Sequence, residues 1–518
     1  MKKILYMIML LCIRAGLFTD MVIGTVDIDE KNILGVYLSD NETPVTIFYK
    51  ETEGLISSYT EYFIRYKNKV SGPFDVINAW WAIPEVAETL AYEVKIDGKW
   101  YFFAGKEKIG PLNSAGLWKF SPYGKMFIYS PDTTENYAKT YVFVGKEKTV
   151  VIDNNWHALE FSPDGKTLAY EVKIDGKWYL VAGKEKTGPF DDLRYPQFSP
   201  DGKTLAYGAK IDGKWYFFAG KERTGPFDYI DFGYPEFSPD GKTLAYTARI
   251  DGKRYLFAGK EKNGPFDDIG YPQFSSDGKT LAYTARIDGK WYLFAGKERT
   301  GPFDYIVSYL EFSPDGKTLA YEVKIDGKWY LVAGKEKTGP FDDLRHPEFS
   351  PDEKTLAYGA KIDGKWYLFA GKEKNGPFDD FRDITAYDNR YCEFSPDGKT
   401  LAYWAIIDGK WYLFAGKEKT GPFDDIGYPE FSPDGKTLAY EVKIDGKWYL
   451  VAGKERIGPF DYIGNPKFSS NGKTLAYTAR IDGKEYVKVI INGITYPGSV
   501  NTDGKTVYVK NGKIMLRE

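Results

Sequence analysis

Apolar and polar residues alternate along short stretches of this chain, and turns rich in glycine and proline separate the stretches. Between residues 195 and 230, four such stretches follow one another: Tyr195–Ser199, Thr204–Ile211, Lys214–Ala219 and Lys221–Ile230. Alternation with a period of two is typical of strands, and Asp212-Gly213 is a strong hairpin signal. Pro226 cannot donate to a ladder, so the fourth strand should be the outer edge. Helical spacing is missing throughout, which predicts an all-β chain.

The same four-strand pattern recurs with a nearly constant period. Copies of the signature F-S-P-D-G-K begin at Phe161, Phe198, Phe237, Phe274, Phe312, Phe349, Phe394, Phe431 and Phe468, and degenerate copies begin at Ile83, Phe120 and Val500. A fixed period of this size indicates a repeat architecture. Four short strands cannot bury both faces of their sheet alone, whereas sheets stacked face to face can. The repeat therefore predicts the blades of a β-propeller.

The copies predict 12 to 13 four-stranded blades, of which the first, in residues 20–80, is irregular. Single propellers have about four to eight blades, so we expect two rings of six to seven blades, over residues 20–288 and 289–518. One oversized ring is the alternative. The last copy, from Val500 to Glu518, has room for only three strands, and the strand-like segment Ile23–Asp27 should complete it.

The segment F-S-P-D-G-K-T-L-A-Y resembles the signature of TolB-type, WD-repeat-like propeller blades. The S-P-D-G-K turn is the specific part of the match, and the resemblance covers residues 83–510. It implies a four-stranded blade and a binding role. It carries over no catalytic residue, because the signature residues are structural.

Acidic and basic residues are interleaved along the chain, and the formal net charge is −3. A protein that binds nucleic acid usually shows a basic patch or stripe, which this sequence lacks. We therefore expect no nucleic-acid partner.

Residues 1–19 differ from the repeats. Lys2 and Lys3 precede an apolar run from Ile4 to Ile13, which is the form of a secretory signal peptide with cleavage after Ala15. The run is too short to span a bilayer. We expect an exported protein, periplasmic or extracellular, with no transmembrane segment once the signal is removed. A cytoplasmic protein is the alternative.

Motifs for catalysis or metal binding are weak. The G-K-T of each repeat lacks the earlier glycine of a phosphate-binding loop, and the two histidines, His157 and His346, lie on different blades. Paired acids such as Asp191-Asp192 recur in blade after blade, whereas acid/base catalysis needs one asymmetric arrangement. We predict no catalytic residue, no metal site and no cofactor.

An aromatic step, K-W-Y, recurs in the third strand, as at Trp215 and Trp366. A carbohydrate-stacking ladder is one interpretation. Packing between blades is favoured, because adjacent Trp and Tyr face opposite sides of a sheet and supply both inter-blade faces. Arg254 and Glu485 replace the tryptophan in two copies, so the position should be partly exposed.

The connection before each signature phenylalanine varies from copy to copy, whereas F-S-P-D-G-K-T-L-A-Y barely changes. In a propeller this connection joins the outer strand of one blade to the inner strand of the next, so its residues should converge at one face around the central opening. Binding residues are concentrated on such segments. The candidate binding residues are Arg194, Tyr195, Tyr234, Tyr271, Arg345, His346, Arg382, Tyr387, Arg390, Tyr391 and Tyr428.

The leading hypothesis is a binding or scaffolding propeller without enzymatic activity, whose variable connections contact a protein or an envelope component. Two other classes stay open. One is a propeller enzyme that acts on glycans or esters, and the other is a multivalent structural or adhesive protein.

Overall fold

The structure is a computed structural model of the 518-residue chain. It describes residues 21–25, 33–38, 44–53, 58–66, 69–78, 91–104, 107–113, 115–120, 126–131, 139–144, 147–153, 159–231, 235–307, 309–380, 392–469, 471–482, 484–491, 494–500, 506–510 and 513–517. Every regular element in these ranges is a strand. No helix in the described part is long and apolar enough to cross a membrane.

Each repeat folds into a four-stranded antiparallel blade, as the residues starting at Asp192 illustrate. The blade consists of the strands Asp192–Phe198, Leu205–Ile211, Lys214–Ala219 and Glu222–Phe227, paired in chain order. Asp212 and Gly213 have φ angles of 49° and 79°, which is the hairpin geometry that an Asp-Gly pair favours. The proline-containing fourth strand pairs with the third strand alone and forms the outer edge of the sheet. The predicted all-β propeller blade is confirmed.

Two predicted strand boundaries are wrong. The fourth strand ends at Phe227, not at Ile230, and Tyr229–Ile230 pairs with the second strand of the following blade. The reason is that the chain joins the next sheet immediately: the Asp228 amide already donates to the Arg249 carbonyl across that sheet. The first strand correspondingly begins at Asp192, not at Tyr195, with an irregularity between Arg194 and Gln197.

The described strands form twelve sheets, which we number as blades along the chain. Blade 1 comprises Ile33–Leu38, Pro44–Glu53, Ser58–Tyr66 and Lys69–Phe74. Blade 2 comprises Val76–Asn78, Ala91–Ile96, Lys99–Ala104 and Glu107–Leu112. Blade 3 comprises Gly116–Phe120, Met126–Pro131, Lys139–Val144 and Glu147–Asp153. Blade 4 comprises Glu160–Phe161, Leu168–Ile174, Lys177–Ala182 and Glu185–Phe190. Blade 5 is the blade described above. Blade 6 comprises Tyr229–Ile230, Glu236–Phe237, Leu244–Ile250, Lys253–Ala258 and Glu261–Phe266.

Blade 7 comprises Asp268–Ile269, Gln273–Phe274, Leu281–Ile287, Lys290–Ala295 and Glu298–Phe303. Blade 8 comprises Tyr305–Ile306, Glu311–Phe312, Leu319–Ile325, Lys328–Ala333 and Glu336–Phe341. Blade 9 comprises Asp343–Phe349, Leu356–Ile362, Lys365–Ala370 and Glu373–Phe378. Blades 10 and 11 comprise Cys392–Phe394, Leu401–Ile407, Lys410–Ala415 and Glu418–Phe423; and Asp425–Ile426, Glu430–Phe431, Leu438–Ile444, Lys447–Ala452 and Glu455–Phe460. The last sheet comprises Tyr462–Phe468, Thr474–Ile481, Lys484–Ile491, Ile494–Val500, Thr506–Lys510, Lys513–Arg517 and Met21–Thr25.

The seven strands of the last sheet make two blades, 12 and 13, that share one strand. Residues 494–497 pair with Lys484–Ile491, and residues 498–500 pair with Thr506–Lys510. Met21–Thr25 then pairs antiparallel with Lys513–Arg517, with Met21 opposite Leu516. The predicted closure of the C-terminal blade by an N-terminal strand is confirmed, two residues earlier than expected.

The chain divides into two compact units, one of residues 1–151 with 421–518 and the other of residues 152–420. The first contains blades 1, 2, 11, 12 and 13, and the second contains blades 4 to 9. The arrangement in two rings stays a prediction. Its boundary as drawn, between residues 288 and 289, falls at a hairpin turn inside blade 7.

The near-invariant S-P-D-G-K turn is held by its own side chains. In blade 5, the Ser199 hydroxyl donates to Asp201 Oδ1 at 2.7 Å and accepts from the Thr204 amide at 3.0 Å, and the Lys203 amide donates to Asp201 at 3.1 Å. These bonds, with the Ser199 hydroxyl first, lower the pKa of Asp201 to about 2. The aspartate is therefore a turn residue, as the sequence predicted.

Blades pack against each other through the phenylalanine of the outer G-P-F segment. Phe190 of blade 4 is buried, and its ring centroid lies 6.1 Å from both Tyr207 and Phe218 of blade 5, which themselves stack at 4.9 Å. Phe227 repeats the contact on blade 6, 5.1 Å from Phe257. Because the outer strand of each blade carries an anchor into the next sheet, one sequence motif builds the core at each of these inter-blade contacts.

Candidate functional site

The connections run along the inner edge of each sheet. In blade 7, the Asp267 amide donates to the Arg286 carbonyl and the Gly270 amide to the Thr284 carbonyl, both on the second strand. The connection is therefore the innermost strand, interrupted in the middle. Backbone groups on both sides of the interruption thus continue the ladder of the blade, whereas Tyr271 lies within the interruption.

The candidate binding residues fall into three groups. Arg194, Tyr195, Arg345 and His346 lie on the continuous inner strands of blades 5 and 9, although only the backbone of Tyr195 and His346 is described. Tyr271 and Tyr428 lie at the interruptions of the inner strands of blades 7 and 11. Tyr234, Arg382, Tyr387, Arg390 and Tyr391 lie outside the described residues, and their role stays a prediction.

Arg194 and Arg345 are engaged within the chain. The Arg194 guanidinium lies 5.0 Å from the centre of the Trp215 ring, and its Nη1 donates to the Tyr229 hydroxyl at 3.1 Å, so two consecutive connections meet. The Arg345 guanidinium lies 4.6 Å from the Trp366 ring and donates to Asp380 at 3.1 Å. Cation–π stacking on a largely buried tryptophan fixes both side chains, so they stabilise the inner edge in addition to any contact with a partner.

Among the residues whose burial is described, exposed aromatic rings lie in the connections. Among the residues whose burial is described, the exposed aromatic side chains are Tyr271, Tyr305, Tyr309, Tyr428 and Tyr462. Tyr271 and Tyr309 are the most accessible, at 63% and 70%. The candidate list missed Tyr305, Tyr309 and Tyr462. A usable signal existed for Tyr309, because it stands two residues before the Glu-Phe of its blade, as Tyr428 does.

The first aspartate of each pair has a structural role. In blade 4, Asp191 accepts from Lys177 Nζ at 2.6 Å and from the Gly213 amide of the next blade at 3.1 Å. The Lys177 ammonium, as the main cause, holds the pKa of Asp191 below its usual value. The same lysine bond, fourteen residues back, recurs at Asp228, Asp267, Asp304, Asp342, Asp379 and Asp461. These carboxylates tie one blade to the turn of the next.

Arg254 connects two carboxylates where other blades have tryptophan. Its Nε lies 3.5 Å from Asp231, which also accepts from Arg249 at 2.7 Å, and its Nη1 contacts Asp268. The Arg254 side chain is 26% exposed, as predicted for this position. Arg249 and Arg254 are directly opposite in the sheet, and like charges there are unfavourable unless an acid bridges them. Asp231, from the longer connection of blade 6, supplies that acid.

The third-strand aromatics have little free surface. Trp215 and Trp366 are buried, and Trp178, Trp291, Trp329 and Trp448 are half-buried against the neighbouring cores. Each adjacent tyrosine lies under a cation of its own outer strand, for example Tyr367 with Lys374 Nζ 3.9 Å from the ring centre. The same pairing recurs at Tyr101, Tyr179, Tyr216, Tyr255, Tyr292, Tyr330, Tyr412 and Tyr449. Inter-blade packing is confirmed for these tryptophans.

Glu171 is a buried acid on the second strand of blade 4. Burial is the main cause that raises its pKa to about 8; Asp192 adds to the shift and Arg194 opposes it. Glu441 in blade 11 is raised to about 7, again mainly by burial. The sequence signal for these sites is a glutamate within L-A-Y-E, where other copies have glycine, threonine or tryptophan. Among the described residues, no group of three or more His, Cys, Asp or Glu side chains is arranged to hold a metal ion.

Comparisons with known proteins give a short family match and several similar structures. A family model described as a cell wall binding repeat matches residues 94–108, which include the second hairpin of blade 2. The signature F-S-P-D-G-K-T-L-A-Y folds, copy after copy, into a four-stranded blade. The copies that resemble TolB-type, WD-repeat-like blades in sequence therefore have the four-stranded propeller-blade fold that this resemblance implies.

Several solved structures are similar to this chain. TolB from Acinetobacter baumannii is 17% identical over 49% of this chain and 75% of its own, with a TM-score of 0.21. The β-propeller domain of the Trilobed protease from Pyrococcus furiosus is 12% identical over 53% and 99%, with a TM-score of 0.27. A eukaryotic initiation factor is 10% identical over 63% and 92%, with a TM-score of 0.33. A search of curated proteins found no match to the chain.

Proposed function

We propose that this chain is a non-enzymatic binding or scaffolding protein that presents its inter-blade connections to a protein or cell-envelope partner. One observation carries the proposal. The blade body is repeated almost unchanged, whereas the connections differ in sequence and hold every exposed aromatic side chain found among the residues of described burial. Exposed tyrosine is a common anchor of binding interfaces. The match of residues 94–108 to a cell wall binding repeat supports an envelope partner.

The opposite turns provide a matched control surface. Lys166, Lys203 and Lys242 are between 71% and 81% exposed and pair with the aspartate of their own S-P-D-G-K turn at 3.0 to 3.1 Å. Ion pairs this exposed contribute little to stability. Replacing these lysines should therefore change the surface and leave the fold intact.

Sedimentation with isolated cell envelopes of the native source tests the proposal. The combined substitutions Arg382→Ala, Arg390→Ala and Tyr391→Ala should weaken binding by about tenfold or more, as removal of interface anchors does. The combined substitutions Lys166→Ala, Lys203→Ala and Lys242→Ala should not. Loss of binding in the lysine variant alone would place the site on the opposite turns and overturn the proposal.

Export is part of the same proposal. It rests on Lys2, Lys3 and the apolar run up to Ile13, which lie outside the described residues. Mass spectrometry of the protein from its native source should find a mature N-terminus near Gly16. An intact Met1 on cytoplasmic protein would contradict export.

A further inference from the structure

The chain carries two recurrent sets of aromatic rings, and one of them is accessible. Third-strand tyrosines such as Tyr292 and Tyr330 lie under Arg299 and Lys337, at 4.0 and 4.9 Å from the ring centres. The connection tyrosines Tyr271 and Tyr309 are instead 63% and 70% exposed. A ligand that stacks on aromatic faces would therefore meet the connections first.

The exposed tyrosines recur with the blade repeat. Tyr271 and Tyr309 stand at the same place in the consecutive blades 7 and 8, two residues before the last residue pair of the inner strand. These blades pack directly on each other, with Leu293 of blade 7 in one core with Tyr321 of blade 8. Stacked sheets lie about 10 Å apart. A repeated ring at a fixed spacing suits a polymer that offers an equivalent face in each of its units.

The charges around Tyr271 and Tyr309 favour one class of polymer over another. Asp268, three residues before Tyr271, is in ion pairs with Arg254 and Arg286, and Glu311 lies two residues after Tyr309 in the chain. Nucleic acids bind through an excess of unpaired cations that track the phosphates. A locally balanced surface instead suits an uncharged polymer with ring faces, which is the chemistry of a polysaccharide.

We propose that Tyr271 and Tyr309 stack on sugar rings one disaccharide unit apart in a cell-wall polysaccharide. The C–H groups on one side of a pyranose ring form an apolar face, which the electron-rich face of a tyrosine attracts, while the phenol hydroxyl stays available to the sugar hydroxyls. The inference rests on the proposed binding function and names the substrate class of the same connections.

The test measures binding of the full chain to two insoluble probes, chitin as a peptide-free polymer of N-acetylglucosamine and purified peptidoglycan sacculi. The pair Tyr271→Ala and Tyr309→Ala should lose about tenfold or more in affinity for both, as expected when two aromatic anchors are removed. The pair Tyr271→Phe and Tyr309→Phe keeps the ring faces and should bind like the wild type. The pair Lys279→Ala and Lys317→Ala, on exposed turns of the same blades, is the matched control. Thermal midpoints of all variants should equal that of the wild type.

The outcomes separate this inference from the proposed function. Wild-type protein that binds sacculi but not chitin would overturn the glycan inference and leave an envelope partner in place. Equal binding of chitin by the alanine pair and the wild type would also overturn it. Tyrosine-dependent binding of a single-stranded oligonucleotide would show that the polymer is a nucleic acid. If neither probe nor isolated envelopes bind, both proposals fail.

Discussion

The blade body and the connection are made of similar residues, but they differ in how far the side chains of those residues are buried. Tyr207 of the blade body is buried against Phe190 and Phe218, whereas Tyr271 of a connection projects most of its surface into solvent. The body is nearly invariant because every copy must fit its neighbour, and a change in one sheet face must be matched on the next. The connection has to satisfy only its backbone ladder, so its side chains can differ. Substitutions in the body should affect stability, and substitutions in the connections should affect binding.

The largest expected effect comes from the one blade that is closed by a distant strand. Deletion of residues 20–28 removes Met21–Thr25 and leaves Lys513–Arg517 as an unpaired edge. An open edge loses its ladder bonds and is prone to pair with other chains. The urea midpoint should fall by the equivalent of several kcal/mol. An unchanged midpoint would mean that the closing strand does not support the sheet.

Truncation of an inter-blade anchor should have the next largest effect. Phe227→Ala removes a buried ring that contacts Tyr246 and Phe257 at 6.3 and 5.1 Å. Loss of a buried phenylalanine costs about 3 kcal/mol or more, because a cavity remains. Tyr271→Ala, the matched change in a connection, should stay within about 0.5 kcal/mol of the wild type. Urea unfolding of both variants measures the difference, and equal losses would contradict the division into body and connection.

The buried acid of blade 4 should make stability depend on pH around neutrality. The pKa of Glu171 is raised to about 8 in the fold from its ordinary value of 4.5, mainly by burial. Between pH 4.5 and pH 8 the folded state therefore keeps a proton on Glu171 that the unfolded state has released. The stability that this proton contributes is complete below pH 4.5 and is lost as the pH rises through 8.

Glu171→Gln tests this dependence, because glutamine keeps the shape and cannot ionise. The urea midpoint of the wild type should fall between pH 5 and pH 9 by more than that of the variant. Glu185→Gln, on the exposed outer strand of the same blade, is the control and should follow the wild type. Parallel curves for all three proteins would show that Glu171 does not titrate in this range.

The smallest effect is expected at the S-P-D-G-K turns in acid. Hydrogen bonds from the serine hydroxyl and the lysine lower the pKa values of Asp164, Asp201 and Asp240 to about 2. Their stabilising contribution is present above the unfolded pKa near 3.8 and is lost as the pH falls through about 2.

Replacement of these three aspartates with asparagine should flatten the loss of stability between pH 4 and pH 2. Blade 12 carries this substitution naturally: Asn471 accepts from Ser469 and from the Lys473 amide, both at 2.9 Å. A variant that unfolds in acid like the wild type would show that the turn carboxylates do not contribute.

The sequence by itself determined the blade, because the signals that define it are local. Period-two alternation, Asp-Gly at positions with positive φ, and S-P-D-G-K bonded to its own backbone act within a few residues, so the hairpins could be read directly. The closing strand was also predictable, since a copy with three strands leaves one ladder unpaired and the chain has one spare segment.

Only the tertiary structure decided what the side chains of neighbouring repeats do to each other. The sequence predicts Arg194 as a binding residue, yet its guanidinium stacks on Trp215 and donates to the Tyr229 hydroxyl of the next connection. The pairing of Arg254 with Asp231 and Asp268 joins three separate segments. The exposure of Tyr309 follows from the packing of its neighbour Leu310 into the core, which leaves the tyrosine on the outside. Burial and ion pairing depend on residues up to 35 positions away in these examples, and no local pattern encodes which of two similar side chains the neighbouring blade will cover.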